Sequence, residues 1–252
     1  MGEGWKKFLF LHIPKTAGSS FNAMFRSAVP PGRHFEHLEG QHQRLKEICE
    51  DGLPFFVSGH LTFESIHGYV ARPDVFSMSI LRQPVDQLLS HLKWVKYVGS
   101  PEFPHPRTIH ASILQLAKKL YEIPLDDIDA VASLIDSPLG RQLFDNLHVR
   151  YATNARMDRV DECHVESALD NLGTLSFVFA LEDSEAALGE LRRRIPQIAC
   201  LGLENTARSS ETVNLSDPRI NRFYRALTCH DQKLYDAMRS RSPQWLAAAS
   251  PA

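Results

Sequence analysis

The chain is poor in cysteine, and what it has is scattered. Its four cysteines, Cys49, Cys163, Cys200 and Cys229, lie far apart with no CxxC and no histidine at ligand spacing. That argues against a disulfide framework or a zinc site and points to reduced thiols in a cytosolic protein. Charge of one sign is also lacking: 28 basic against 30 acidic residues leave a formal net charge of −2. A dedicated nucleic-acid binder is therefore disfavoured, as is an enzyme built for long polyanionic acceptors, and any basic surface must be local. Long apolar runs are missing too. The run from Phe8 to Ile13 is far shorter than the roughly 20 residues a bilayer span needs, and no small-residue cleavage site accompanies it. Neither a membrane segment nor a signal peptide is expected, nor is there an internal repeat or low-complexity tract.

What is present suffices for a full core. With 252 residues and 43% hydrophobic side chains, one α/β domain is expected. Lys7 to Ile13 reads as a strand buried on both faces. Phe21, Met24, Phe25 and Ala28 then repeat at helical spacing, so a helix starts near Gly18 and ends before Pro30. A second helix is expected over Leu38 to Cys49, a strand over Pro54 to His60 and another over Val75 to Leu81. Pro84 opens a helix to about Val98, where its missing N–H costs nothing. Gly99 to Arg107 reads as a Pro-rich loop, followed by mainly helical sequence to about Asn171. A strand at Leu175 to Leu181, a helix at Glu182 to Arg194, a polar loop at Asn205 to Asp217 and one long helix from Pro218 to Met238 complete the chain. A ligand-binding core is expected over about 5–98 and 172–240, with a helical segment over about 99–171 beside it.

Alternating strands and helices imply a parallel sheet covered on both sides, with ligands bound beyond the carboxyl ends of the strands. Three predicted strands end in distinctive chemistry: the Lys15 loop, His60 and Arg82. The first follows a phosphate-binding design, a strand leading into a tight loop and a helix start. Free N–H groups and the positive end of the helix dipole favour an anion there. Lys15 adds a charge, and Thr16, Ser19 and Ser20 add hydroxyls around Ala17 and Gly18. It is not a Walker A loop, because Lys15 precedes the glycine and the GxxxxGK[ST] pattern is absent. The third strand ends in Arg82 where a Walker B aspartate would stand.

The segment His12-Ile13-Pro14-Lys15-Thr16-Ala17-Gly18-Ser19-Ser20-Phe21 resembles the 5′-phosphosulfate loop of carbohydrate sulfotransferases related to heparan sulfate 2-O-sulfotransferase. The resemblance covers about two-thirds of the chain and is densest from Lys7 to Leu92. It implies a P-loop-like α/β fold, 3′-phosphoadenosine 5′-phosphosulfate (PAPS) as donor, and no metal. Lys15 would then neutralise the oxygen that sulfur leaves, while residues 16 to 20 hold the 5′-phosphate. Ser79 to His91 is similar to the family's second signature, an Arg at a strand end, a Pro opening a helix, and a Ser eight residues after the Arg. The resemblance assigns Arg82 and Ser90 to the donor's 3′-phosphate, a group that a guanidinium fork suits. Gln83 stands where family members often carry Asp.

Phe56 to Phe63 resembles the segment carrying the family's catalytic histidine, which makes His60 the candidate general base, a task suited to imidazole near neutral pH. The family often has His-Gly-His here; Ser58 replaces the first histidine and leaves His60 as sole candidate. Asn146 to Tyr151 looks like a segment common in bacterial members, so Arg150 is a candidate for the acceptor or, equally, for a structural ion pair. Thr206 and Arg208 fall where the family closes a polar loop over the nucleotide. Arg192, Arg193 and Arg194 suit the negative end of a helix dipole. The family's Golgi members carry a membrane anchor and this chain shows none, so a soluble, cytoplasmic, bacterial enzyme is expected. Its acceptor would be a carbohydrate or a hydroxylated small metabolite, with no nucleic-acid partner. Two other readings stay open: a kinase-like phosphotransferase needing ATP and magnesium, and a non-catalytic nucleotide-binding module.

Overall fold

Successive strand side chains point to opposite faces of the sheet, and most of them are apolar. A computed structural model of the chain describes residues 6–105, 109–154, 159–199 and 211–245. Its strands are β1 (Lys7–Leu11), β2 (His34–Phe35), β3 (Phe55–Gly59), β4 (Val75–Leu81) and β5 (Phe177–Ala180). All pair in parallel, in the order β2-β3-β1-β4-β5. Phe8, Phe10, Phe76, Met78, Phe177 and Phe179 point to one face, and Leu9, Leu11, Val57, Leu81 and Val178 to the other. Each such side chain, fully buried, contributes roughly 1.5–3 kcal/mol over an exposed one. Every residue of β3, β4 and β5 is buried, as a sheet covered on both sides requires.

The helices in chain order are α1 (Gly18–Phe25), α2 (His42–Glu50), α3 (Phe63–Val70), α4 (Pro84–Gly99), α5 (Ala111–Tyr121), α6 (Ile128–Ile135), α7 (Pro138–Phe144), α8 (Leu147–Ala152), α9 (Glu162–Gly173), α10 (Ser184–Arg194), α11 (Pro218–Leu227) and α12 (Cys229–Trp245). α1 and α10 cover the aromatic face; α2, α3, α8, α9 and α12 cover the other. A third apolar cluster joins α4 to α5, α6, α7 and α11. At its centre α4 and α5 cross so closely that a Cβ on Gly99 would lie 2.1 Å from the Ala117 carbonyl oxygen. The chain is thus a single α/β domain with a five-stranded parallel sheet, consistent with a P-loop-like fold. Of the helical stretch expected over 99–171, α5 to α7 keep their own cluster, whereas α8 and α9 pack on the sheet. None of the described helices is long and apolar enough to cross a membrane. Cys49, Cys163 and Cys229 are free thiols, and Cys200 lies outside the described residues.

Several boundaries differ from the sequence expectation, each for a local reason. β1 stops at Leu11, two residues early, because the chain leaves the sheet to form the Lys15 loop. α2 starts at His42, not near Leu38, since His37 and Gly40 take positive φ values of 58° and 72°. β2 and α3 have no counterpart in the expected elements. The single closing helix is broken at Thr228, which adopts φ −120° and ψ 18° and turns its hydroxyl back to the Tyr224 carbonyl. Asn146 makes the break favourable, its Oδ1 accepting from the N–H groups of His230 and Asp231 at the start of α12. Asp231 returns the arrangement by accepting from the N–H groups of His148 and Val149 in α8.

Candidate active site

The chain leaves β1 for one side of the sheet (β2, β3) and later fills the other (β4, β5), so β1 lies where the winding reverses. Ligands of open parallel sheets bind beyond the strand ends at such a point. Here that place is the Lys15 loop. Five consecutive carbonyls, from Leu11 to Lys15, accept side-chain hydrogen bonds. The donors are Ser79 Oγ to Leu11 (2.9 Å), His60 Nδ1 to His12 (3.0 Å) and Thr16 Oγ1 to Ile13 (2.9 Å). Gln87 Nε2 reaches Pro14 (2.8 Å) and Arg82 Nη1 reaches Lys15 (3.2 Å).

With its acceptors bound to the protein, the loop holds two non-glycine residues left-handed, Lys15 at φ 66° and Ala17 at φ 67°. Such conformations cost about 1–3 kcal/mol each and persist only where the surroundings impose them. α1 then begins with no capping side chain and no acidic residue in its first turn. Among the described residues, the N–H groups of Ala17, Gly18 and Ser19 find no acceptor. A helix start of this kind is fit for an anion. Thr16 is fully buried and its hydroxyl closes the loop onto Ile13. Ser19 is exposed, and Ser20 and Lys15 are half-buried.

His60 follows β3, half-buried, and is tied to the same loop. A carbonyl oxygen can only accept, so its contact with His12 fixes Nδ1 as the protonated nitrogen and leaves the lone pair of the neutral ring on Nε2. Burial lowers the His60 pKa below the usual imidazole value, against the opposing pull of the His12 carbonyl and the Glu39 carboxylate. Glu39 also accepts from the His60 N–H at 2.6 Å.

A second histidine, His12, stands 4.5 Å from the His60 ring, centroid to centroid. Burial, with His60 next, holds the pKa of His12 well below its usual range, so both rings are neutral at pH 7. His12 Nε2 lies 1.8 Å from where a Cβ at position 18 would stand, which is why α1 opens on glycine. Ser58 donates to Asn22 Oδ1, which anchors β3 to α1. The ring beside His60 is thus that of the residue following β1.

α4 closes the other side of the loop. Gln87, His91 and Trp94 recur at i, i+4 and i+7, one face of the helix, with Ser90 beside them. Gln87 holds Pro14, and the Lys15 ammonium lies 5.2 Å from the Trp94 ring centroid. His91 is buried, and its pKa is pushed down to about 3 by burial, then by His60 and Lys15. Arg82, half-buried at the end of β4, reaches the loop through Nη1, and Ser90 is half-buried.

Of the two roles open to Arg150, the ion pair is the one the structure displays. Its side chain has no exposed surface, and it forks onto Asp145 through Nε to the carbonyl (2.6 Å) and Nη2 to the carboxylate (2.7 Å). A guanidinium so enclosed needs such partners to offset the cost of its burial. Thr206 and Arg208 lie outside the described residues. The grouping of potential metal-ligand atoms at Asp161, Cys163 and His164 is the capping box of α9, each partner satisfying the other's N–H. Cavities of about 620 and 530 Å³ open beside Pro218 and Arg222 and beside His67 and Asn171; neither is lined by the Lys15 loop, His60, Arg82 or Ser90.

His12, Glu39, Gln87 and Trp94 were not among the residues expected at the site. His12 stands in the same segment as Lys15, and the i, i+4, i+7 spacing of Gln87, His91 and Trp94 is readable in the sequence; Glu39 has no such signal. No model of a known protein family matches the chain, and no curated protein matches it either.

Proposed function

We propose that the chain is a PAPS-dependent O-sulfotransferase that sulfates a hydroxyl of a carbohydrate or small metabolite. The observation that carries this is the hydrogen bond from His60 Nδ1 to the His12 carbonyl. It joins a base of defined tautomer to the loop built for an anion, so proton acceptor and donor-binding turn form one unit. PAPS supplies a sulfuryl group on its 5′-phosphate, and as a substrate it needs a phosphate-binding turn, which the N–H groups of Ala17, Gly18 and Ser19 offer.

In the proposed in-line step, His60 Nε2 takes the acceptor's hydroxyl proton as that oxygen bonds to sulfur. The bond from sulfur to the bridging phosphate oxygen breaks, its electron pair staying on that oxygen. Lys15 and the loop N–H groups neutralise the charge that develops there. Arg82 and Ser90 are the candidates for the 3′-phosphate of the product PAP. Positioning supplies most of the rate, as it does in phosphoryl transfer.

Thermal shift with PAP and ADP, each with and without magnesium, tests the donor. PAP at a hundred times its Kd adds about 2.7 kcal/mol, a rise in Tm of roughly 5–10 °C for a chain of this size. That rise is expected without metal. Stabilisation by ADP or ATP alone, and only with magnesium, would sink the proposal. His60→Ala should keep PAP binding and lose turnover of PAPS.

A further inference from the structure

Lys15 is held firmly at its backbone: φ is 66° and its carbonyl is bound by Arg82. That fixes where its side chain begins but not where a flexible four-carbon stem ends. The ammonium in fact lies over the indole of Trp94, 5.2 Å from the centroid, inside cation–π range. Trp94 is two turns beyond Gln87 on α4, so the helix face that clamps the loop's backbone also meets its charge. The indole is itself braced. Tyr97 lies 5.7 Å away, Phe103 stands edge-on at 6.2 Å, and these two meet each other at 5.5 Å in a T-shaped contact. A ring packed in this way has little freedom to follow a wandering ammonium.

We propose that Trp94 is a positioning residue for Lys15, holding its ammonium at the mouth of the loop before the donor arrives. The proposal rests on the donor reading above. An ammonium carries three N–H groups, so one side can face the indole while the others meet a phosphate or sulfuryl oxygen. Presetting the charge removes part of the ordering cost of binding.

The test uses Trp94→Leu, Trp94→Phe and Lys15→Met, alone and combined, with PAP as the titrant and PAPS turnover as the second readout. Trp94→Leu should weaken PAP about fivefold and lower kcat/KM for PAPS to match, while Trp94→Phe, which keeps an aromatic face, should recover most of both. In the Lys15→Met background Trp94→Leu should have no further effect on PAP binding. Equal losses in both backgrounds would show a packing role and overturn the proposal. A spectroscopic arm examines the pairing without ligand. With Trp5 and Trp245 replaced by Phe, Lys15→Met should shift the emission of Trp94; an unchanged spectrum also overturns the proposal. If the emission shifts yet PAP binds none of these proteins, the donor reading fails and the Lys15–Trp94 pairing stands.

Discussion

Gly18→Ala probes the joint between the anion loop and the two histidines with a single methyl group. Built on the present backbone, its Cβ would lie 1.8 Å from His12 Nε2 and 2.2 Å from both Cδ2 and Cε1. Ordinary contacts between such atoms begin near 3.5 Å, so the imidazole must retreat by well over ~1 Å. It has little room to do so, being 8% exposed, stacked 5.3 Å from Phe10 and tilted against His60 at 4.5 Å. Overpacking of this kind costs about 1–3 kcal/mol. Alanine returns up to about 1 kcal/mol through the unfolded chain and helix propensity, less at a first helical position. A net loss of about 1–2 kcal/mol in urea unfolding is expected, with weakened PAP binding, because the displaced ring borders the loop. His12→Ala removes the obstacle while leaving the backbone carbonyl that holds His60. In that background Gly18→Ala should be neutral or stabilising, a coupling of about 2 kcal/mol between adjacent sites. If Gly18→Ala is as stable as wild type, or if His12→Ala brings no relief, the packing argument is wrong.

Two further expectations concern protons. Because burial lowers the His60 pKa, the base stays neutral to more acid pH than a free histidine. The acid limb of kcat/KM should therefore fall below pH 6.5; a limb at or above 6.5 in PAPS turnover would contradict the environment described. Asp231 is the opposite case: burial pushes its carboxyl up to about 7, against the two α8 N–H groups it accepts. A folded pKa above the unfolded 3.8 means that the native state binds the extra proton between those values. The stability it confers is complete below 3.8 and is lost as pH rises through about 7. Asp231→Asn should cost about 1–3 kcal/mol by leaving an N–H unmet. Its deficit in urea midpoint should also be larger at pH 5 than at pH 8, and a deficit that grows with pH would refute the assignment.

Short-range signals carried much of the fold, and long-range ones did not show. β4 and α4 lie where the sequence pattern and Pro84 put them, since a seven-residue run that is apolar except for Ser77 and Ser79, and a proline at a first helical position, speak without help from elsewhere. β2 is two residues long and exists through pairing with β3, so no pattern announces it. α3 is eight residues, carries Gly68 and has no side-chain cap; its burial of Phe63, Ile66 and Val70 against the sheet sustains it. The break at Thr228 was invisible because the apolar stripe runs straight through it, and the residue that rewards the break, Asn146, is more than eighty positions away. At the site, strand ends located Lys15, His60 and Arg82. The identity of their neighbours depended on how α4 and β1 pack, which a linear reading does not supply.

The loop illustrates why motif and geometry have to be argued separately. Within the segment His12 to Ser20, Thr16 makes a bond that shapes the turn from inside; further clamps come from Ser79, Arg82, Gln87 and His60. Lys15 and Ala17 are not glycines, so their left-handed conformations have no intrinsic support and depend on those distant donors. It follows that β3, β4 and α4 must be in place before the loop can hold this shape. The proton on His60 Nδ1 is one clamp of five, so His60→Ala removes a single support while the bonds from Ser79, Thr16, Gln87 and Arg82 remain. Protonation at Nε2 leaves the Nδ1–H bond to the His12 carbonyl in place, and if the loop is the donor site as proposed, PAP binding should survive loss of the ring while turnover does not.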